Sequence, residues 1–293
     1  MKLGLMFANT VWGASAEGAV AIAQAAEAGG FESIWTVEHV VVPSGYESKY
    51  PYDPSGKMAG GAEEFDLPDP LIWLSYVAAR TSTIKLGTGI LILPQRNPLI
   101  VAKELASLDA LSGGRMICGI GVGWLEEEFD ALGVPFHDRG ARCDDTVDVL
   151  RKAWTGQKVS HASAFTTFTD CISLPRPANG TVPIVVGGDS PAAARRAGRL
   201  GDGYFPGNGA IDHLRGRIDI MRRAAGGGPR PRRDRDLGRR RRPQCGRHRG
   251  PRRGPAGRGR HPLDARPDAA RPGARHRRSP LRPPRRLTQG FWV

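Results

Sequence analysis

Residues 85–94, Lys-Leu-Gly-Thr-Gly-Ile-Leu-Ile-Leu-Pro, and residues 115–125, Arg-Met-Ile-Cys-Gly-Ile-Gly-Val-Gly-Trp-Leu, decide how the chain is read. Lys85–Leu93 is an almost unbroken apolar run, the pattern of a strand covered on both faces in a parallel sheet. Between the two stretches, Ile100, Val101, Leu105, Leu108 and Leu111 recur at helical spacing. Pro98 suits the first turn of that helix and Gly113-Gly114 ends it. Arg115–Gly121 is then a second buried strand. Strand, helix and strand at this length imply a right-handed crossover between parallel neighbours.

The pattern repeats on both sides. Leu3–Phe7 reads as a strand, followed by a helix over Glu17–Ala28 with Ser15 as its cap. Ser33–Val37 is the next strand. The helix after it is opened by Asp69-Pro70 and runs to Arg80, with Leu71, Leu74, Val77 and Ala78 on one face. Beyond Gly121, residues 125–132 form a short acidic helix. A longer one is capped by Asp138 and runs to Trp154, and residues 161–173 form a hairpin. Pro183–Gly187, a helix from Ser190-Pro191, Gly203–Phe205 and a helix over Ile211–Arg223 complete six β/α units. Six parallel units in order predict a barrel of the (β/α)₈ type lacking its last two, since such barrels run to ~250 residues. Residues 40–67 carry no helical or alternating pattern, which predicts a functional lid or a disordered loop.

The net charge of +14 is unevenly spread: residues 1–225 hold 21 Lys+Arg against 25 Asp+Glu, and residues 226–293 hold 22 Arg against 4 Asp. The latter segment also has 11 Pro and 11 Gly and lacks Lys, Glu, Ile, Met, Tyr and Asn. It cannot bury enough apolar surface to offset the entropy of ordering, so it is expected to be a disordered basic tail. One origin is a genuine arm binding nucleic acid non-specifically through phosphates. The other is a GC-rich gene read out of frame, favoured by the abrupt switch where a seventh strand is due. On that reading the first domain spans 1–225, its barrel cannot close, and the product could be inactive.

Four cysteines without a C-x-x-C pair or metal-ligand spacing indicate a reduced, cytoplasmic protein and no metal site. Asn9 and Thr10 interrupt the apolar stretch a secretory signal would need, and no run is long enough to span a membrane.

In a parallel barrel, chemistry sits at the carboxyl ends of the strands. Asn9, Glu38, His39, Thr88, Gly89, Ile90 and residues 121–128 fall there. His39 could exchange a proton with a bound ring, with Glu38 nearby in sequence, or be satisfied by loop backbone. Gly87-Thr88-Gly89 allows close approach of a flat ligand or merely tight strand packing. Gly119-Ile-Gly-Val-Gly123 lacks the dinucleotide-binding spacing. Gly187-Gly188-Asp189-Ser190-Pro191 places two glycines before a capped helix, a phosphate site or an ordinary turn, with Arg195 and Arg196 one turn later. Glu126, Glu127 and Glu128 suit a solvated first turn, with catalytic acids as the alternative. Trp124 is the tryptophan best placed to stack on a ligand.

With these residues in place, the chain resembles the luciferase-like monooxygenase superfamily, and within it the actinobacterial oxidoreductases that use the deazaflavin coenzyme F420. The resemblance lies in residues 26–39, Ala-Glu-Ala-Gly-Gly-Phe-Glu-Ser-Ile-Trp-Thr-Val-Glu-His, and in Leu-Gly-Thr-Gly-Ile (86–90), Arg-Asn-Pro (96–98) and Leu-Asp-Ala-Leu-Ser-Gly-Gly-Arg (108–115). It continues in Gly-Val-Gly-Trp-Leu-Glu-Glu-Glu-Phe (121–129), Leu-Gly-Val-Pro-Phe-His-Asp-Arg-Gly (132–140) and residues 187–204. The resemblance implies a (β/α)₈ barrel with F420, or alternatively FMN, at its carboxyl face. It puts His39 against the cofactor ring, makes Gly89-Ile90 a non-proline cis peptide, and gives Gly187-Gly188 the phosphate. Some relatives place a proton-donating glutamate where this chain has Trp124, so Glu126 or Glu127 is the substitute. The implied activity is hydride transfer between F420 and a small organic substrate, with an FMN-dependent monooxygenase as the alternative; relatives often form homodimers.

Overall fold

The computed structural model describes residues 2–58, 63–207 and 209–226. The arginine-rich segment lies outside the described residues except for Gly226, and so do the expectations of a basic arm, a disordered tail and an altered reading frame. Among the described residues, no helix is long and apolar enough to cross a membrane.

The elements alternate as the sequence predicts: β1 (Gly4–Leu5), α1 (Ala16–Ala28), β2 (Ser33–Thr36), α2 (Pro70–Ala78), β3 (Lys85–Thr88), β4 (Leu91–Ile92) and α3 (Pro98–Ser112). They continue with β5 (Met116–Gly121), α4 (Glu126–Ala131), α5 (Arg139–Ala153), β6 (Val159–Ala162), β7 (Thr167–Cys171), β8 (Ile184–Gly187), α6 (Pro191–Leu200), β9 (Gly203–Phe205) and α7 (Ile211–Ala225). The main sheet runs β1-β2-β3-β5-β8-β9, with β4 also paired to β5, and every pairing is parallel. Strands that pair in chain order distinguish a barrel from a doubly wound sheet, whose order reverses. Among the described residues the sheet ends at β1 and β9, a curled and incomplete barrel of six β/α units. β6 and β7 form a separate antiparallel hairpin.

Local chemistry accounts for most boundaries. Ser15 accepts the Gly18 N–H, Asp69 those of Leu71 and Ile72, and Ser190 that of Ala193, each satisfying donors a helix start would otherwise leave free. Asp138 stands at the N-cap position as expected, but its side chain makes no cap bond and instead takes the Arg142 guanidinium 2.8 Å away, one turn along α5.

Two further readings are corrected. Lys85–Leu93 is two strands, β3 and β4, separated at Gly89–Ile90, whose peptide is cis as the resemblance implied. On α3, Val101, Leu105 and Leu108 face the core, but Ile100 and Leu111 are 60% and 88% exposed. Eleven residues make about three turns, so these two share a face of their own, opposite the core.

The core lies between sheet and helices, built from Ile34, Leu74, Leu86, Leu105, Met116, Ile120, Leu150, Trp154 and Ile184. Arg115, buried at the start of β5, donates to the Ser112, Ile84, Ala78 and Thr81 carbonyls and to the Thr81 hydroxyl, so the end of α2 is latched to the sheet. The segment after β2 packs against α4 where described. Tyr46, Met58 and Leu125 form a second small core, with Val42, Tyr50 and Trp124 against it.

Candidate functional site

The carboxyl ends of β1 to β5, β8 and β9 carry nearly every residue the sequence singles out, but in different occupations. Asn9 is wholly buried. Its amide donates to the Val37 and Pro68 carbonyls at 2.9 and 3.1 Å and accepts the Val37 N–H at 2.9 Å, which ties the segment after β1 to the end of β2. Thr88 is buried too, its hydroxyl donating to the Gly119 carbonyl at 2.7 Å. Both act here as clasps between strand ends, with their polar atoms used up.

Glu38 points into the protein. One carboxylate oxygen accepts from Arg96, which also holds Asp69 at 2.8 Å, and the other accepts the Ile92 N–H. Burial raises the Glu38 carboxyl above the ordinary range, with the Arg96 charge pulling the other way. Its side chain is 1% exposed, so Glu38 joins β2 to β4 and is withdrawn from a ligand. Sequence adjacency to His39 does not survive as a shared site.

His39 pairs instead with a residue read from sequence as solvated. Its Nδ1 lies 3.0 Å from Oε2 of Glu128, which is fully buried. The Glu128 Oε1 accepts the Val40 N–H at 2.6 Å. Trp124 stands edge-on to the His39 ring, centroids 5.7 Å apart. Trp124 also packs against Tyr46 and Tyr50, so it belongs to the small core as well as to the site.

The three glutamates of α4 thus have three fates. Glu128 holds His39 and Val40. Glu127 accepts the Glu47 and Ser48 N–H groups at 2.7 and 3.0 Å. Glu126 is half-buried and favours the charged form of Arg139. The signal for Glu128 was present: it lies three residues after Leu125 and one before Phe129, both fully buried, hence on the inner face of the helix.

Ile90 follows the cis peptide and reaches across the ends of β5 and β8. A Cβ on Gly121 would come within 2.5 Å of Ile90 Cδ1, and one on Gly187 within 2.5 Å of its Cγ2. Both glycines make room for this side chain, a use of Gly187 apart from any phosphate.

At the next turn Gly188 has φ +111°, a conformation glycine adopts without strain. Its N–H donates to the Phe205 carbonyl and its carbonyl accepts the Tyr204 hydroxyl at 2.7 Å. Asp189 accepts the Gly207 N–H at 3.1 Å, and Ser190 caps α6. Arg196 does not face this turn: it is buried against Asp144 and the Gly140 carbonyl. A cation that does reach it is Arg217 of α7, which donates to the Asp189 carbonyl. Nothing in the local sequence marked Arg217, because the contact depends on how α7 packs back.

The residues suit a flat cofactor that carries a phosphate. The His39 Nδ1 is engaged, leaving Nε2 for a ligand; Gly89 and Ile90 are half-buried beside it in the sheet order; and a capped helix start with Arg217 nearby can meet an anion. Phe7, Val40 and Val41, after β1 and β2, are exposed apolar side chains at the same end.

Sequential parallel units with such a face define a protein of the (β/α)₈-barrel class, its candidate site on the carboxyl side. Within that class the chain belongs to the luciferase-like monooxygenase family, whose model matches residues 1–249. An uncharacterized protein of Mycobacterium tuberculosis is 34% identical over 214 residues, 71% of this chain and 72% of that protein. The F420-dependent glucose-6-phosphate dehydrogenase of Kineococcus radiotolerans is 34% identical over 184 residues, 61% of this chain and 49% of that protein. Among solved structures, the monooxygenase RslO1 from Streptomyces bottropensis matches with TM-score 0.62 and 30% identity, over 77% of this chain and 66% of that one. The chain therefore spans about two thirds or less of the length of these last two relatives. Family and relatives support an oxidoreductase.

Proposed function

We propose that the chain is an oxidoreductase that transfers hydride between coenzyme F420 and a small organic substrate. The observation that carries this reading is the His39–Glu128 pair beside Trp124 at the carboxyl end of the sheet, in a chain 34% identical over 184 residues to an F420-dependent dehydrogenase. A bound deazaflavin would supply the carbon that accepts or gives hydride.

The residues of the chain bind, orient and shield. His39 presents Nε2 as a hydrogen-bonding and proton-exchanging atom. Ile90 offers an apolar surface for a flat ring, backed by Gly121 and Gly187. The Gly188 turn, the start of α6 and Arg217 would hold the phosphate. The loop after β2, pinned by Glu127 and Glu128, would exclude water from the reacting face. Glu126 is the remaining glutamate of α4 and the candidate proton donor, since the loop and His39 take the carboxylates of its two neighbours.

The test is separate titration of the full chain with F420 and with FMN, following cofactor fluorescence, then repeated on His39→Gln. F420 should bind, be reduced or oxidised with a substrate without oxygen uptake, and bind or turn over more weakly in the variant. Tight FMN binding with oxygen consumption would overturn the deazaflavin reading in favour of a monooxygenase.

A further inference from the structure

We propose that Glu128 is the positioning residue of His39: it holds the imidazole hydrogen on Nδ1 and so assigns Nε2 to the ligand. The inference rests on His39 being the group that meets the cofactor, and it deepens that reading by saying which nitrogen acts.

Both oxygens of Glu128 are used as acceptors. Oε1 takes the Val40 N–H at 2.6 Å, with the Val41 N–H at 3.4 Å, and Oε2 faces His39 Nδ1 at 3.0 Å. Oε1 already accepts backbone N–H groups, and a carboxylic acid beside an imidazole gives up its proton more readily than it keeps it, so the fully buried group facing Nδ1 is a carboxylate. A carboxylate has no hydrogen to give, so Nδ1 keeps its hydrogen in the neutral and the cationic imidazole alike. Nε2 is then the nitrogen that gains and loses a proton. The Trp124 edge, at 84° to the ring, restricts its rotation, and a ring fixed in tautomer and orientation is what proton exchange at one atom needs. Because the same carboxylate anchors Val40, the loop after β2 and the histidine share one support.

Glutamine cannot reproduce this. If its carbonyl serves Val40, its amide N–H₂ faces Nδ1, which must then carry a lone pair, and the hydrogen moves to Nε2. If it is flipped, the amide faces the Val40 N–H, donor against donor.

Long-range ¹⁵N–¹H correlation of the histidine rings in the full chain, without cofactor, reads the tautomer directly. His39→Gln identifies the His39 signals among the seven histidines. Wild-type protein should show His39 with hydrogen on Nδ1, and Glu128→Gln should shift most of the population to Nε2–H. Hydrogen on Nε2 in the wild type, or an unchanged tautomer in the variant, overturns the proposal. Should Glu128→Gln fail to fold, the wild-type tautomer decides alone. The cofactor titration is a separate measurement, so failure of the F420 reading and failure of the tautomer are told apart.

Discussion

Gly187, the last residue of β8, lies so close to Ile90 that an added Cβ would stand 2.5 Å from the Ile90 Cγ2 and 3.4 Å from the Ile120 carbonyl oxygen. Ile90 is β-branched, so its Cγ2 is not the free end of a flexible chain. Gly187→Ala should therefore force Ile90 or β8 to shift, at about 1–3 kcal/mol, the usual cost of overpacking. Chemical denaturation checks this; unchanged stability would show that Ile90 has room to move.

Glu38 and Arg96 make a second prediction. Arg96→Met leaves a carboxylate in the interior without its cation, and breaking a buried pair in this way costs about 3–5 kcal/mol. Adding Glu38→Gln should recover part of that loss, because the orphaned charge is gone. A double-mutant cycle by denaturation measures the coupling, and strictly additive losses would contradict a direct pair.

Glu127 bears on local opening. Burial works to raise its carboxyl, but hydrogen bonds from Ser48 and from the backbone of Glu47 and Ser48 outweigh it and bring it down to about 2. Glu127→Ala should free the loop after β2 at Glu47 and Ser48 while leaving the sheet intact. Hydrogen exchange should then show faster exchange at those two amides and unchanged protection in β2 and β5.

Acid stability follows from Glu27 with the same sign. Burial tends to raise this carboxyl, but the Thr83, Ile84 and Ser82 N–H groups and the Thr83 hydroxyl overcome it and lower the value from 4.5 to about 2. The unfolded chain then binds the proton more tightly. The contribution of Glu27 is present above pH 4.5 and is lost as pH falls from about 4.5 towards 2. Unfolding free energies across that window should decline less steeply in Glu27→Gln than in the wild type.

Much of the fold was legible because its signals are local. The apolar run over residues 115–121, caps at Ser15, Asp69 and Ser190, and the Gly113-Gly114 stop each depend on a few neighbouring residues, and each stands where expected, whereas the run over 85–93 breaks into two strands at Gly89–Ile90. Where two local rules competed, the reading slipped. Asp138 could cap α5 or pair with Arg142 one turn on, and the ion pair won. Ile100 and Leu111 satisfied a helical period that α3 carries twice, once on each face.

The amino-acid sequence by itself determined the order of the β/α units, the placing of His39, Ile90 and Gly187 at strand ends, and the family whose motifs they carry. Tertiary structure alone decided which acid serves His39. Glu38 is adjacent in sequence, yet alternation along an extended strand sends it to the opposite side, toward Arg96 and Ile92. Glu128, 89 residues away, arrives because α4 turns its inner face against the end of β2. A charge in the interior is stable only where donors converge on it, and that convergence belongs to the packing of whole elements, not to any stretch of chain.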